Sequence, residues 1–356
     1  MYRKIFKLNR LLWVVTSLSI VLLCACEQPA KSYNYSIFTF GTLVDVTVYD
    51  IDKKRADAAF EQLQKDFDYY HQHWSPWTDG DLAQINKQLA NGNTDIPIPA
   101  HLSPMIKTSV LLSEQSNNYF NPTIGKLINL WQFHKHNEAD IKPPDNVLVQ
   151  ALVRKNPQMS DLSIDQKNRL TSINPAVALN FGAFAKGYAI ALEIEQLKKL
   201  GIRNAVINAG GDLSVIGQHG DRAWNIGIRN PRSTRILASV EVRDNESVFT
   251  SGDYERTYHF QGQRYHHILD PATGKPTKDA QSVTVMHADA GLADAAATAI
   301  FVAGSKHWLE TATNMGIHHV MLIDANGDIH ITAAMQNRIK FLNKSPTSHI
   351  FVSEDL

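Results

Sequence analysis

The sequence predicts an α+β fold in which mixed β-sheets carry packed helices. Helical and strand periods are interleaved along the chain without the regular strand–helix–strand rhythm of a doubly wound parallel sheet. Leu43 to Tyr49 alternates, with Val44, Val46 and Val48 on one face and Asp45, Thr47 and Tyr49 on the other, as a half-buried strand does. Ala183 to Leu200 places Ala185, Tyr188, Ala189, Leu192, Ile194 and Leu197 at helical spacing, and Gly201 follows where a left-handed cap is expected.

In chain order, Arg3, Lys4, Lys7 and Arg10 precede an apolar run from Leu11 to Leu23 that stops at Cys24-Ala25-Cys26. This reads as an export signal, because a spanning helix needs about 20 apolar residues and the run is shorter. Leu23-Cys24-Ala25-Cys26 resembles a bacterial lipobox, so residues 1–25 are expected to be a lipoprotein signal peptide and Cys26 the lipidated N-terminus. An uncleaved signal anchor is the alternative. Either outcome tethers the domain in the cell envelope, on the inner or outer membrane and facing the periplasm; Glu27 leans towards the outer one. Residues 26–36 read as a polar tether, 37–340 as the folded domain and 341–356 as a C-terminal tail. Both cysteines lie in the signal segment, which leaves the body of the protein without disulfides, thiolate chemistry or a cysteine zinc site.

Within the domain, Asp52 can cap a helix whose buried side is Ala56, Phe60, Leu63 and Phe67. A second helix is expected over Pro104 to Ser116, and a short one near Val147 to Arg154 after the Pro143-Pro144-Asp145 loop. Strands are expected at Ala205–Asn208, Trp224–Ile228, Leu237–Val242 and Val283–Met286, then a helix from Leu292 ending at Gly304, another after Ser305, and a hairpin of Val320–Ile323 with Ile329–Thr332. Lys plus Arg and Asp plus Glu both number 35. That balance offers no single-sign field for a polyanion, so no nucleic-acid partner is expected.

Three segments carry chemistry. Asp294 and Thr298 stand i, i+4 in a helix among small residues, so both oxygens project from one face and can supply part of a magnesium shell. By spacing alone the alternative stands beside it: Asp294 caps the helix that it opens, and Thr298 packs its methyl inward. His266 and His267 run into the Asp270-Pro271-Ala272-Thr273-Gly274 turn, which can aim an imidazole as a general base; surface histidines look no different. Asn180 to Tyr188 opens a helix with Gly182, Ala183 and Gly187, where free N–H groups and Lys186 can attract phosphate.

Taken together and in order, these segments resemble the ApbE family of FAD:protein FMN transferases. Phe40-Gly41-Thr42 is similar to the family's Met-Gly-Thr, Trp74 to Asn86 to its Ser-rich segment, and Tyr119-Phe120-Asn121-Pro122-Thr123-Ile124-Gly125 to its Phe-Asp-Pro-Thr-Val-Gly motif. The glycine-lysine helix start, Asn208 to Asp212, Thr250 to Tyr254, the His-Ile-Leu-Asp-Pro turn and the Ala-Asp-x-x-x-Thr helix complete the series.

The resemblance implies an ApbE-like, T-fold-related flavin transferase domain that takes FAD as substrate and Mg2+ as metal. Side-chain metal ligands would be Asp294 and Thr298, with backbone carbonyls from Ala183 and Gly291. Flavin contacts would fall on Phe40, Trp77, Tyr119, Phe120, Asn121, Asn180, Lys186, His266 and His267, with His267 and Asp294 assisting catalysis. The implied reaction moves FMN to a Thr or Ser hydroxyl of a target flavoprotein, redox-pump subunits among them, and releases AMP. The alternatives are a magnesium-dependent FAD pyrophosphatase yielding FMN and AMP, and a flavin-binding lipoprotein that does no chemistry. Phe40 replaces the family's usual Met, and Asn121 and Asn180 stand where Asp is common, so neither amide can act as a base.

Two other patterns are set aside. Asp324 to Asp328 imitates a calcium loop but lacks the closing Glu and suits a hairpin turn. The His71/His73, His134/His136 and His318/His319 pairs lack the spacing of a closed zinc site and read as surface histidines.

Overall fold

A computed structural model describes residues 31–134, 141–342 and 348–354; the signal segment and Cys26 lie outside them. Strands β1 (Ser32–Thr39) and β2 (Thr42–Tyr49) open the fold. Phe40 and Gly41 join them with φ of 49° and 74°, a turn whose twist matches that of the strands it connects. Helix α1 (Lys53–Trp74) starts where Asp52 accepts the Arg55 N–H. Helices α2 (Asp81–Ala90), α3 (Leu102–Gln115), α4 (Gly125–Trp131) and α5 (Asn146–Val153) follow, with a small sheet of β3 (Ile96–Pro97), β4 (Leu162–Ile164) and β5 (Arg169–Ser172).

Helix α6 (Ala185–Lys199) leads into β6 (Ala205–Ala209) and β7 (Asp212–Ile216). Next come β8 (Trp224–Arg229), β9 (Ile236–Val242) and β10 (Ser247–Gly252). Two short hairpins, β11 (Thr257–Phe260) with β12 (Gln263–His266) and β13 (Leu269–Asp270) with β14 (Lys275–Pro276), precede β15 (Ala280–His287). The chain closes with α7 (Ala290–Asn314), β16 (His319–Asp324), β17 (Ile329–Thr332), α8 (Ala333–Gln336), β18 (Ile339–Phe341) and β19 (Ile350–Ser353).

Nine strands form the central sheet in the order β1-β2-β6-β7-β10-β15-β16-β17-β19. Neighbours run antiparallel until β19, which adds parallel to β17 and makes the sheet mixed. Both faces are covered, and strand alternation divides the side chains between two cores. On β16, Val320 and Leu322 join the helical side with α1, α6 and α7, while Met321 and Ile323 join the other side. There a three-stranded sheet of β18, β9 and β8 closes the sandwich with Trp224, Ile228 and Val240. A smaller apolar cluster ties α4 and α5 to the β11–β13 region.

Several expectations are corrected. The tether is shorter than expected, because β1 begins at Ser32 and its partner β2 supplies a full ladder from Tyr49 back to Thr42. Part of the expected tail is a strand, since Ile350–Ser353 pairs with Ile329–Thr332. The helix expected from Leu292 starts earlier, at Ala290, with Asp289 as its cap; at Gly304, φ of 65° and ψ of 179° leave the helical range, so two helical segments meet there as expected and are counted together as α7. The Asp324–Asp328 segment, by contrast, is the expected hairpin turn, with Gly327 at φ 89°.

Glu193 on α6 is buried and has one oxygen bonded to Tyr70 Oη at 2.8 Å, while the other has no hydrogen-bond partner among the described residues. Burial, with Asp66 adding to it and the Tyr70 bond opposing it, pushes its carboxyl up to about 7. The native state therefore keeps a proton that the unfolded chain loses from about pH 4.5 upward, and stability falls as pH rises through that window. Glu193→Gln should raise stability at pH 8 by on the order of 2–3 kcal/mol and change it little at pH 4.5. Urea melts at both pH values test this, and an equal gain at the two would contradict it.

Candidate active site

Two loops zip together to frame the site. Gly125 N donates to the Ala178 carbonyl at 2.8 Å, Ala178 N to Thr123 at 3.1 Å and Asn180 N to Pro122 at 2.8 Å. Asn86 holds the same segment from the other side, its amide bonding both the N–H and the carbonyl of Leu179 at 2.6 and 2.8 Å. Asn121 and Asn180 then act locally. The Asn121 Oδ1 accepts from Thr123 N and Oγ1 while its Nδ2 donates to the Pro157 carbonyl, and the Asn180 Oδ1 accepts from Gly182 N at 2.9 Å. An Asp would fill the acceptor half of either role, so the amides keep the loop shape without the charge.

The chain runs from Asn180 into α6, whose cap residue Phe184 offers no side-chain bond. The missing acceptor comes from another helix. The Asp294 Oδ2 on α7 accepts the Gly187 N–H at 2.9 Å, so a carboxylate sits on the positive end of α6. This contact settles the reading of Asp294 as a helix cap: it caps α6, whereas α7 is capped by Asp289. Gly187 makes the approach possible, because a Cβ there would stand 2.2 Å from the Ala290 carbonyl oxygen and 2.6 Å from the Asp294 Cβ.

Lys186 lies between two carboxylates, 2.8 Å from the Asp212 Oδ2 and 3.4 Å from the Asp294 Oδ1. Burial works against its charge, but Asp212 and Asp294 outweigh it and hold the ammonium above its ordinary range. The Asp294 carboxyl is pushed up by burial and by Asp212, with Lys186 offsetting only part. One turn on, the Thr298 hydroxyl meets the Ser251 hydroxyl at 3.0 Å. Asp212 also repairs the central sheet. The β7–β10 ladder has two residue pairs, Ser247 with Ser214 and Val248 with Leu213, and beyond them Thr250 N donates to the Asp212 Oδ1 at 2.8 Å.

The sheet opens there into a cavity of about 340 Å³ lined by Tyr119, Phe120, Asn121, Asn180, Ala183, Lys186, His267, Asp294 and Thr298. A second, of about 490 Å³, continues from it past Phe40, His71, Trp74 and Phe181, and the two share Trp77, Lys186, Glu255 and Arg256. Such volumes fall in the range of small-molecule and cofactor sites. The exposed Trp77 stacks on His134 at 4.9 Å, forming one wall.

Nearly every expected site residue thus reaches one cleft, with two exceptions. His266 does not line it: its Nε2 bonds the Thr277 carbonyl at 2.7 Å and its Nδ1 accepts from Ile268 N at 3.3 Å. As the last residue of β12 it points away from His267, as strand neighbours do. Gly291 sits in the first turn of α7 against Phe184 and Tyr188, also outside the lining. His267 faces the cleft, and its buried Nδ1 has no hydrogen-bond partner among the described residues. Burial first, then Arg256, His266 and Lys186, hold its pKa well below the ordinary value, so the ring is neutral at pH 7. Asp212, Glu255 and Arg256 join the site without having been singled out from sequence; Asp212 and Glu255 lie within or beside segments that carried the resemblance.

A buried carboxylate left short of positive charge, beside two hydroxyls, is a donor set that fits a hard divalent cation. With a buried ammonium at the floor of a breach in the sheet, it marks the class: an α+β domain whose two-part cleft has the volume and the charged floor that suit an elongated, partly anionic ligand. Residues 40–322 match the ApbE family model, and the chain belongs to the ApbE family. A protein of Rhodobacter capsulatus named FAD:protein FMN transferase is 36% identical over 88% of this chain, which spans 59% of that relative's length. One of the same name from Treponema pallidum is 31% identical over 90% of this chain and 92% of its own. Among solved structures, the ApbE protein of Thermotoga maritima superposes with a TM-score of 0.79 at 29% identity, covering 86% of this chain and 99% of that one. The apo flavinyl transferase ApbE of Pseudomonas stutzeri gives 0.74 at 27%, covering 88% and 98%.

Gly187→Ala should force α6 and α7 apart, costing about 1–3 kcal/mol and weakening FAD binding, because the new methyl meets backbone rather than a yielding side chain. Urea denaturation and a flavin titration check both effects; a variant unchanged in each would show that the close approach is dispensable.

Proposed function

We propose that this chain transfers the FMN half of FAD to a Thr or Ser hydroxyl of a target flavoprotein and releases AMP, using Mg2+. The observation that carries this reading is the convergence of Asp294, Thr298, Lys186 and a neutral His267 on one cleft. Asp294 through its Oδ1 and Thr298 through its hydroxyl would hold the metal, with Ala183 beside them in the lining. When bound, magnesium neutralises charge on the pyrophosphate oxygens.

The acceptor hydroxyl oxygen bonds to the FMN-side phosphorus as the bond from that phosphorus to the bridging oxygen breaks. The hydroxyl proton goes to the His267 Nδ1, on a neutral ring and without a hydrogen-bond partner among the described residues. Lys186 is already ion-paired, so its role is to fix the two carboxylates and to meet phosphate oxygens from the floor of the cleft. Trp77 and Tyr119 offer aromatic surface along the walls. Asn121 and Asn180 hold the loops that wall the cleft through local bonds, and as neutral amides they leave proton acceptance to His267.

Incubation of the purified chain with FAD, Mg2+ and a target bearing an exposed Thr tests the reading: a mass gain on the target equal to FMN, with AMP, supports it. AMP with free FMN would make hydrolysis the better description, and flavin retained without AMP would favour the carrier. Asp294→Ala and the shape-keeping Asp294→Asn should each lower Mg2+-dependent AMP release by roughly a hundredfold or more. Full activity in the Asn variant would refute the metal assignment.

The basic and apolar start of the chain and its lipobox-like cysteine support lipid anchorage at Cys26 in the cell envelope, which fits acceptors that are themselves membrane redox-pump subunits. Cys26→Ser should move the protein from the membrane to the soluble fraction. A variant that stays in the membrane would point to the uncleaved anchor.

A further inference from the structure

Sequence spacing gives no closed zinc site, yet the fold gathers three ligand-type side chains from three helix ends. His73 comes from the last turn of α1, Asp81 is the first residue of α2 and His101 precedes α3. One ligand atom from each lies within 4.8 Å of the others. The His73 Nδ1 is 2.7 Å and the His101 Nε2 3.3 Å from the same Asp81 oxygen. Bonds of about 2.0–2.1 Å around a tetrahedral ion set ligand atoms about 3.3 Å apart, so small shifts of these side chains would suffice.

Two details distinguish the cluster from a plain hydrogen-bonded group. The His101 Nε2 is buried and makes no hydrogen bond among the described residues, despite its closeness to Asp81. Its other nitrogen, Nδ1, meets the Tyr69 hydroxyl at 3.0 Å, the outer contact that fixes the tautomer and orientation of a metal-bound imidazole. Burial, only partly opposed by Asp81, lowers the pKa of His101 and favours the neutral ring a metal needs. All three residues are partly accessible, which leaves a path for an ion and a fourth position for water.

We propose that His73, Asp81 and His101 bind a divalent transition-metal ion of the zinc type, separate from the magnesium site, and that this ion clamps the loop carrying Trp77. Residues 75–80 leave α1 and return to it so closely that a Cβ on Gly80 would stand 1.9 Å from the Gln72 carbonyl oxygen. The loop is therefore closed at its base by the two elements that supply His73 and Asp81, and Trp77 at its tip lines both parts of the cleft. Two imidazoles and one carboxylate suit zinc or its neighbours and disfavour magnesium, which prefers oxygen donors.

The test uses full-length chain, stripped of metal and titrated with Zn2+ by calorimetry in excess Mg2+, which occupies the hard-oxygen site. One Zn2+ per chain is expected, with a rise in melting temperature. His73→Ala and Asp81→Asn should each weaken binding at least tenfold while still melting cooperatively in metal-free buffer, and His349→Ala should leave it unchanged. Co2+ in place of Zn2+ should give visible d–d absorption that the His73 variant lacks. No Zn2+ uptake in excess Mg2+, or uptake that survives both variants but disappears in Asp294→Ala, would overturn the proposal.

Discussion

The site depends on the closeness of two helices at a single glycine. Gly187 lets α6 approach α7 until its N–H reaches the Asp294 carboxylate. A buried carboxylate is costly unless paired, and a helix N-terminus with unmet donors is costly unless capped. Each helix supplies what the other lacks. Lys186, next in sequence, is carried by the same contact into the gap between Asp294 and Asp212. The oxygen of Asp294 that is not spent on the cap is left at the edge of the cleft.

A second constraint comes from the sheet. Antiparallel strands lose backbone partners wherever they part, and β7 and β10 stay paired over a short stretch. The Asp212 side chain takes the Thr250 N–H that the ladder would have satisfied, so the breach is tolerated and becomes a cavity. One residue thus maintains the sheet and counters the charge of Lys186. The loops that wall the cleft are fixed in the same economical way, with Asn86, Asn121 and Asn180 bonding backbone; at Asn86 and Asn121 the amide also donates, which a carboxylate could not do.

Much of the fold was legible where local physics is decisive. The alternation of Val44, Val46 and Val48 marks β2, Asp52 marks the start of α1 and Gly201 the end of α6, because each signal involves residues a few positions apart. The errors share the opposite cause. Ser32 to Ser36 reads as tether and Ile350 to Ser353 as tail until partners distant in sequence pair with them. By spacing, Asp294 suits a cap for its own helix as well as a metal ligand, and only the neighbouring helix shows which end it closes.

For the site, residue types and order gave the family, and with it Asp294, Thr298, Lys186 and His267 as a set. Whether adjacent His266 and His267 act together was decided by strand geometry, which turns neighbours to opposite faces. The meeting of His73, Asp81 and His101 was likewise beyond sequence, since three helix ends had to be packed before their spacing had meaning. By itself the chain determined the helices and the strands with a clear side-chain period, and which chemical groups it carries, because those are set by short-range sterics and side-chain identity, whereas the edge strands β1 and β19 needed their partners. Tertiary structure decided which groups share a cavity, because long-range packing alone fixes distances between residues far apart along the backbone.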